Sequence, residues 1–282
     1  MIILQRTEDM TQWSREQRAR GKRIGFVPTM GFLHPGHLSL VEFAKIQGRC
    51  SQTVMSIFVN PTQFGPNEDF EKYPRDFERD RKLAEQAGID ALFYPAADDM
   101  YEKFARTFVE VEGMGKVMCG VTRPTHFRGV TTVVNKLLNI VEPHVAVFGQ
   151  KDAQQFLIIK RMVQDLFMPV EVLMAPIVRE NDGLAMSSRN VYLNPNERKD
   201  AVCLSQALNI AQAMIAHGET HSTRLTDAMR MHIEKHASAR IDYIAIVDTE
   251  NLLPILQIQK SSLIALAVYI GKTRLIDNII IS

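Results

Sequence analysis

The chain has 282 residues, 46% of them hydrophobic and 23% charged, with a formal net charge of +1. This composition is typical of a globular protein that can bury one large core or two smaller ones, and the small net charge excludes an overall field that would attract nucleic acid or an anionic membrane. Three widely spaced cysteines without a C-x-x-C pair argue against a disulfide framework or a zinc site.

Neither end of the sequence shows a pattern typical of export or of membrane insertion. The first residues, "MIILQRTEDM", become polar after four positions, which is too short for the apolar region of a signal peptide. The longest apolar run, "LIALAVYIG", is too short to cross a bilayer as a helix. We therefore expect a cytoplasmic protein with no membrane or nucleic-acid partner.

Apolar segments and helical periodicity alternate through the first two-thirds of the chain. β-Branched and apolar residues predict five strands, at 23–29, 52–60, 90–95, 145–149 and 170–178. Helical spacing predicts helices between them. The clearest apolar face lies in the segment that starts at Phe127 and ends before Pro143, with Val130, Val134, Leu137, Leu138 and Val141. This alternation predicts an α/β fold with a doubly wound (Rossmann-like) parallel sheet.

The pattern changes after Val178. Asn194 is the expected N-cap of a helix, with Pro195 at the first helical position and Glu197 at the capping-box spacing. Helical sequence continues to about residue 237, and three closely linked strands follow at 240–252, 261–271 and 273–282. We predict a Rossmann-like domain over 1–178 and a smaller α+β domain with an antiparallel sheet over 179–282.

Four polar clusters follow the predicted strands. They are "PTMGFLHPGH" after the first strand, "NPTQFG" after the second, "GQKDAQQ" after the fourth and "MSSRN" after the fifth. Ligands of open α/β sheets bind outside the carboxyl ends of the strands, where helix N-termini direct their free amides. We therefore expect these loops to face one crevice.

The first cluster places two histidines around a Pro-Gly pair that would by itself suffice for a turn. Gly36 lets the backbone approach a ligand, and His34 and His37 can donate to phosphate oxygens at a helix N-terminus. The alternative is an N-cap turn with two exposed histidines. The apolar strand before the cluster favours the phosphate site.

The second and third clusters supply amides and charges. Asn60 and Gln63 offer donors and acceptors that suit a hydroxy-carboxylate substrate, or they form a simple turn. Lys151 can bind a phosphate, and Asp152 can hold a ribose hydroxyl or a metal-bound water. The alternative for this pair is a solvated helix start.

The fourth cluster combines two hydroxyl groups with a guanidinium, in Ser187, Ser188 and Arg189. This set of donors suits a phosphate. The alternative is a surface loop. Two other segments carry less weight. The segment "RPTHFRG" (123–129) could bind an anion or simply pack, and the charged 64–80 segment is most simply a solvated or mobile cover. The sequence has no G-x-x-x-x-G-K-[ST], no G-x-G-x-x-G after the first strand and no G-x-S-x-G, which argues against a Walker ATPase, a dinucleotide oxidoreductase and an α/β hydrolase.

Five motifs together resemble the pantoate–β-alanine ligases (pantothenate synthetases), a family of the HIGH-motif nucleotidyltransferase superfamily. They are "PTMGFLHPGH", "FVNPTQF", "RPTHFRGV", "FGQKDAQQ" and "DGLAMSSRN", in order and at matching spacing over essentially the whole chain. The resemblance implies that pantoate and β-alanine are joined with ATP and Mg²⁺, with release of AMP and pyrophosphate through a pantoyl-adenylate. It also implies a cytoplasmic homodimer in which the C-terminal domain serves as a lid on a nucleotide- and pantoate-binding domain.

The resemblance also implies a role for each matching residue. ATP contacts are expected from Met30, Gly31, Phe32, Leu33, His34, Pro35, Gly36, His37, Gly149, Gln150, Lys151, Asp152, Val178, Met186, Ser187, Ser188 and Arg189. Catalytic roles are expected for His37 as proton donor and for His34, Lys151, Ser187, Ser188 and Arg189. The substrate residues are expected to be Gln63, Gln155, Asn60 and Met30. Mg²⁺ is expected to arrive with ATP and not through direct protein ligands.

The chain departs from the family pattern at Gln150, where glutamate is usual, and at Ala153, where an aromatic residue is usual. Two alternative functions stay open: a nucleotidyltransferase of the same superfamily, which would leave the nucleotidyl group on its product, and a nucleotide-binding protein without turnover. The amides of Gln63 and Gln155 argue against the second alternative, because a nucleotide alone does not need them.

Overall fold

The computed structural model describes residues 1–66, 68 and 70–281, and the chain divides into two compact units. The first unit comprises Met1–Lys116, Gly120–Gly149 and Gln155–Pro176. The second comprises Val117–Cys119, Gln150–Gln154 and the chain from Ile177 onward.

The first unit contains a six-stranded sheet in which every pairing is parallel. Its strands are β1 (Ile2–Leu4), β2 (Ile24–Thr29), β3 (Gln52–Ile57), β4 (Ala91–Phe93), β5 (Val145–Gly149) and β6 (Glu171–Ala175). The spatial order is β1-β4-β3-β2-β5-β6, so the chain winds outward from β2 in one direction and through β5 and β6 in the other. This reversal between β2 and β5 confirms the predicted doubly wound sheet and defines its switch point.

Among the described residues, seven helices accompany this part of the chain: α1 (Thr7–Ala19), α2 (Pro35–Ile46), α3 (Phe77–Gln86), α4 (Ala97–Met100), α5 (Cys119–Thr122), α6 (His126–Val141) and α7 (Ala153–Asp165). The predicted apolar face of α6 is buried in full, and the helix ends at Val141 through Glu142 in the left-handed conformation. The edge strand β1 and helix α1 were not predicted. Three residues are too few to show a period, and α1 is mostly polar with Met10 and Ser14 among its few buried residues.

Both faces of the parallel sheet are covered. Val27, Met55 and Val147 pack into one cluster with residues of α2. Their chain neighbours Phe26 and Val54 point to the opposite face and are fully buried as well. A strand that is buried on both faces reads as a continuous apolar run, and this is why the central strands could be found from the sequence.

The second unit combines helices with a three-stranded antiparallel sheet of order β7-β8-β9. Its elements are α8 (Pro195–Asp200), α9 (Cys203–Ala216), α10 (Ser222–Ile233), β7 (Ala239–Asp248), β8 (Ser262–Ile270) and β9 (Thr273–Ile281). The antiparallel sheet is confirmed, while position 282 of the last predicted strand lies outside the described residues. Leu204, Leu225 and Leu266 join the helices to the sheet in one apolar core.

The capping box predicted for α8 is confirmed. The Asn194 side chain accepts from the Glu197 amide at 3.0 Å, and the Glu197 carboxylate accepts from the Asn194 amide at 3.0 Å. Pro195 occupies the first helical position. Within the described part of the chain, no helix has the length and apolar character needed to span a membrane.

Candidate active site

The loop between β2 and α2 follows the strand at the switch point of the sheet. Gly31 and Phe32 both adopt positive φ, at 82° and 51°, so the chain turns sharply before α2 begins at Pro35. No side chain of the described residues caps this helix start and its first turn holds no acidic residue. The partial positive charge of the helix N-terminus is therefore available to an anion.

His34 and His37 lie together at this helix start. Their ring centroids are 3.9 Å apart and the rings are inclined by 34°. The His37 amide donates to the His34 carbonyl at 2.8 Å, which closes the first turn between them. The sequence spacing of three residues thus becomes one pair of imidazoles beside the amides of the helix start.

The buried carboxylate of Asp80 on α3 fixes the backbone of this loop. It accepts from the Phe32 amide at 2.6 Å and from the Leu33 amide at 2.7 Å, and the residue is only 1% exposed. Burial raises the pKa of Asp80, and the two amide hydrogen bonds oppose that rise. The guanidinium of Arg79 lies 4.9 Å from the centre of the Phe32 ring. No sequence pattern indicated this role, because Asp80 lies within a run of mixed charges.

Asn60 and Gln63 form a buried amide pair after β3. The Asn60 side chain caps the short 3-10 turn Pro61–Gln63, and its Nδ2 donates to Gln63 Oε1 at 3.2 Å. Gln63 Nε2 donates to the sulfur of Met30 at 3.0 Å. The fold therefore brings the second cluster against the start of the first, although 30 to 33 positions separate them in sequence. A thioether is a weak acceptor, so a substrate oxygen would be a stronger partner for this amide.

Helix α6 and Tyr101 support the amide pair. Asn60 Nδ2 also donates to the Gly129 carbonyl at 3.1 Å, and a Cβ added at Gly129 would clash with the Thr62 carbonyl oxygen. The Tyr101 hydroxyl donates to Asn60 Oδ1 at 2.8 Å, and burial raises the pKa of Tyr101. Sequence reasoning missed Tyr101, since an isolated tyrosine in a loop carries no pattern.

The segment 123–129 contacts the same turn. His126 Nδ1 lies 2.9 Å from the Gln63 carbonyl oxygen, and Arg123 donates to that oxygen at 3.3 Å. Arg123 also pairs with Glu68; burial would raise the pKa of Glu68, but the guanidinium more than offsets this and lowers it. Arg128 instead stacks on Phe108, 4.0 Å from its ring centre. Arg123 and His126 therefore belong to this cluster and Arg128 does not. Positions 67 and 69 of the predicted cover lie outside the described residues.

In the second unit, Gln150–Asp152 form a 3-10 turn that follows Gly149 directly and leads into α7. Asn278 of β9 donates through Nδ2 to the carbonyls of Gln150 at 2.9 Å and of Lys151 at 3.1 Å. The Lys151 ammonium lies 3.7 Å from the Asp152 carboxylate. Ala153, one of the two positions that differ from the family pattern, is buried at the start of α7.

The two glutamines near the start of α7 differ in their surroundings. Gln154 is 5% exposed, and its side chain accepts from the Cys119 amide at 3.1 Å and donates to the Val117 carbonyl at 2.8 Å. The Gln154 side chain therefore binds the backbone of the 117–119 segment. Gln155 is half-buried, and of the two it is the one predicted to bind substrate.

The segment 178–189 forms a braced turn. The Met186 amide donates to the Val178 carbonyl at 3.0 Å, so two residues predicted to contact ATP lie side by side. Ser187 caps the short helix Ser188–Tyr192 by accepting from the Arg189 amide at 3.2 Å. Arg179 fixes this turn to β9 through a bidentate pair with the buried Asp277, at 2.6 and 2.9 Å.

These features first define a class. The first unit is a doubly wound α/β domain whose switch-point loop presents a histidine pair and a helix N-terminus next to buried amides, as an enzyme that handles anionic ligands requires. No group of three or more His, Cys, Asp or Glu side chains among the described residues is placed to hold a metal ion.

Comparisons with known proteins identify the family. The sequence model of the pantoate-beta-alanine ligase family matches residues 2–280. The chain is 54% identical to the pantothenate synthetase of Thermotoga neapolitana over 281 residues, with 100% of both chains covered, and 54% identical to that of Acetivibrio thermocellus, with 100% and 99% covered.

Solved structures agree with the sequence comparisons. Pantothenate synthetase from Thermus thermophilus superposes with a TM-score of 0.92 at 43% identity, covering 99% of both chains. Pantoate-beta-alanine ligase from Francisella tularensis, solved with beta-gamma ATP and beta-alanine, has a TM-score of 0.79 at 33% identity, covering 99% of this chain and 97% of its own. The chain therefore belongs to the pantoate–β-alanine ligase family, and it is an enzyme that ligates pantoate and β-alanine.

Proposed function

We propose that the ligation uses ATP and proceeds through a pantoyl-adenylate, with the predicted site residues in the roles described below. The observation that supports this most directly is the contact between Gln63 and Met30, which places a buried amide donor against the loop that carries His34 and His37. An amide for a hydroxy acid and a helix start for phosphates are the two elements that an acid-activating ligase needs.

In the first step, a carboxylate oxygen of pantoate attacks the α-phosphorus of ATP and pyrophosphate leaves. The amides of the α2 N-terminus and the imidazoles of His34 and His37 offset charge on the phosphates, and His37 donates a proton to the leaving group. Gln63 holds the pantoate, with Asn60, Met30 and Gln155 around it. Charge stabilisation and alignment suffice here, because no protein nucleophile is required.

In the second unit, Lys151, Ser187, Ser188 and Arg189 are the proposed phosphate ligands. The guanidinium and ammonium groups neutralise charge that grows on the departing pyrophosphate. The remaining proposed ATP contacts come from the backbone and from small or apolar side chains: Gly31, Phe32, Leu33, Pro35, Gly36, Gly149, Gln150, Asp152, Val178 and Met186. Gly149 fits a ligand contact, since among the described residues an added Cβ would meet only the Leu40 side chain, at an ordinary 3.9 Å.

In the second step, the amine of β-alanine attacks the acyl carbon of the adenylate. The new amide bond forms as AMP leaves, and the amine gives up a proton. Arg123 and His126 fix the backbone of Gln63, so the amide that first holds pantoate is kept in place while β-alanine enters.

Mg²⁺ is the proposed companion of ATP. Asp152 is the residue near Lys151 that fits such an ion, because its carboxylate is about half-exposed and can accept from a metal-bound water. When bound, Mg²⁺ would neutralise phosphate charge. The division into a nucleotide- and pantoate-binding domain (1–178) and a lid domain (179–282), the homodimer and the cytoplasmic location stay predictions from the sequence; sedimentation of the purified protein tests the dimer.

The proposal is tested with purified protein, ATP, Mg²⁺, pantoate and β-alanine. We expect AMP and pantothenate in equal amounts, with little AMP when β-alanine is omitted. A stable adenylylated product that forms without β-alanine would instead show a nucleotidyltransferase. No nucleotide turnover with all substrates present would show a binding protein.

A further inference from the structure

Asn278 is an unusual residue for its position. It lies in β9 and pairs with Ala265 of β8, between Asp277 and the apolar run 279–281, and it is 3% exposed. Asparagine is depleted in strands, and a buried amide is costly unless its polar atoms are satisfied. A buried asparagine in such a strand therefore indicates a specific hydrogen-bonding task.

The side-chain hydrogen bonds of Asn278 to the described residues go to two consecutive positions. Both hydrogens of Nδ2 are used, one to the Gln150 carbonyl at 2.9 Å and one to the Lys151 carbonyl at 3.1 Å. Oδ1 accepts from Gln150 Nε2 at 3.3 Å. The two carbonyls fix which end of the amide faces the turn, because only the NH₂ group can donate to them. Asn278 therefore clamps the backbone of the turn that carries Lys151.

The clamp is itself anchored. The backbone amide of Asn278 donates to Asp277 Oδ1 at 2.8 Å. Asp277 is 2% exposed and is paired with both terminal guanidinium nitrogens of Arg179. Arg179 also donates to the Gly183 carbonyl at 3.0 Å. Two adjacent residues of β9 thus fix the Lys151 turn and the segment that leads to Met186.

We propose that Asn278 is a positioning residue of the ligase reaction, which acts by fixing the backbone of Gln150 and Lys151 so that the Lys151 ammonium is held for the transferring phosphate. This inference rests on the phosphate role of Lys151 proposed above. It also accounts for the departure at position 150, because the two bonds to the turn use backbone carbonyls that any residue provides.

The test compares Asn278→Asp with the wild type. Aspartate has the same shape, but it presents oxygen to the two carbonyls, so the clamp is lost and replaced by repulsion. We expect kcat to fall about 10- to 100-fold, the scale on which small misplacements reduce turnover, while KM for pantoate and β-alanine stays within about threefold. Asn278→Ala, which removes the clamp without repulsion, is the second variant.

A double-mutant cycle with Lys151→Ala distinguishes positioning from general stability. If Asn278 acts through Lys151, Asn278→Ala lowers kcat in the wild type but changes it less than about threefold once Lys151 is alanine. The proposal would be overturned if Asn278→Ala lowered kcat by the same factor with and without Lys151. An unchanged kcat in both Asn278 variants would also overturn it. If Lys151→Ala itself leaves kcat unchanged, the phosphate role of Lys151 is wrong and the positioning role is overturned with it.

Asp200→Asn is the matched control. Asp200 is in the same unit and its carboxylate accepts from the Ser238 amide at 3.2 Å and hydroxyl at 2.6 Å, so this swap also replaces one acceptor oxygen of a bonded side chain with a donor. We expect it to lower the thermal midpoint and leave kcat within about twofold. A loss of kcat in this control as large as in Asn278→Asp would show that the unit responds to any destabilisation, and would overturn the proposal.

Discussion

The loop before α2 and the turn before α7 are each fixed by one buried side chain, but with opposite hydrogen-bond polarity. At the histidine loop, the carboxylate of Asp80 accepts from the amides of Phe32 and Leu33. At the lysine turn, the carboxamide of Asn278 donates to two carbonyls. The first clamp carries a titratable group and the second does not, so the two regions should respond differently to substitution and to pH.

The difference follows from what each loop must leave free. The α2 start is proposed to direct amides at an anion, and Asp80 accepts from amides that lie earlier in the loop, at Phe32 and Leu33. The lysine turn is proposed to deliver a cation, and a neutral amide holds its backbone without competing for the ammonium charge.

The largest effect is expected from removing a proposed catalytic group at either loop. His37→Ala and Lys151→Ala should each lower kcat by at least about 100-fold with the fold intact, since one well-placed acid or electrostatic group is worth roughly 10²–10⁴ in rate. Steady-state kinetics with circular dichroism as the folding control is the measurement. A change below about tenfold would remove that residue from the mechanism.

Removing the Asp80 carboxylate that holds the histidine loop should lower kcat less than removing His37 or Lys151. Asp80→Ala leaves the Phe32 and Leu33 amides without their acceptor, so the histidine pair loses its support and kcat should fall about 10- to 100-fold. Asp80→Asn keeps one acceptor oxygen, so its kcat should fall less than that of Asp80→Ala. Asp90→Asn is the control, because Asp90 accepts from the Thr53 amide at 2.7 Å at the opposite end of β3. Equal losses in Asp80→Asn and Asp90→Asn would contradict a specific role for the first.

The pH dependence of stability should separate the two clamps. Burial raises the pKa of Asp80 above its ordinary value of 3.8, so the folded chain holds this proton more tightly than the unfolded chain. The contribution of Asp80 to the free energy of unfolding is therefore largest below that ordinary value and is lost as the pH rises through the raised pKa.

Urea denaturation between about pH 4 and pH 8 measures this. The stability of the wild type relative to Asp80→Asn should fall as the pH rises, whereas its stability relative to Asn278→Ala should stay constant. A pH-dependent difference for Asn278→Ala would show that its clamp is coupled to a titrating neighbour.

The smallest effect is expected at position 150. Gln150→Glu removes the donor to Asn278 Oδ1, but it leaves the two bonds from Asn278 to backbone carbonyls in place. We expect kcat to change by less than about threefold. A larger loss would show that the side-chain bond, and not the backbone clamp, positions Lys151.

Features that depend on local pattern were predicted well. Central strands such as β2 and β5 are buried on both faces and appear as continuous apolar runs, and the Asn194 capping box lies within four residues. The clusters around His37, Gln63, Lys151 and Ser188 were proposed because each follows a predicted strand, and their roles stay predictions. The edge strand β1 was missed, since three residues carry no period.

The sequence by itself determined the doubly wound sheet, the antiparallel second sheet, the family and the short motifs, because periodicity, caps and turn residues act over a few neighbouring positions. Only the tertiary structure decided which side chains support those motifs. Asp80 reaches the histidine loop across 48 positions and Asn278 reaches the lysine turn across 128. Such partners are chosen by burial and hydrogen-bond satisfaction in the folded chain, and neither leaves a local pattern.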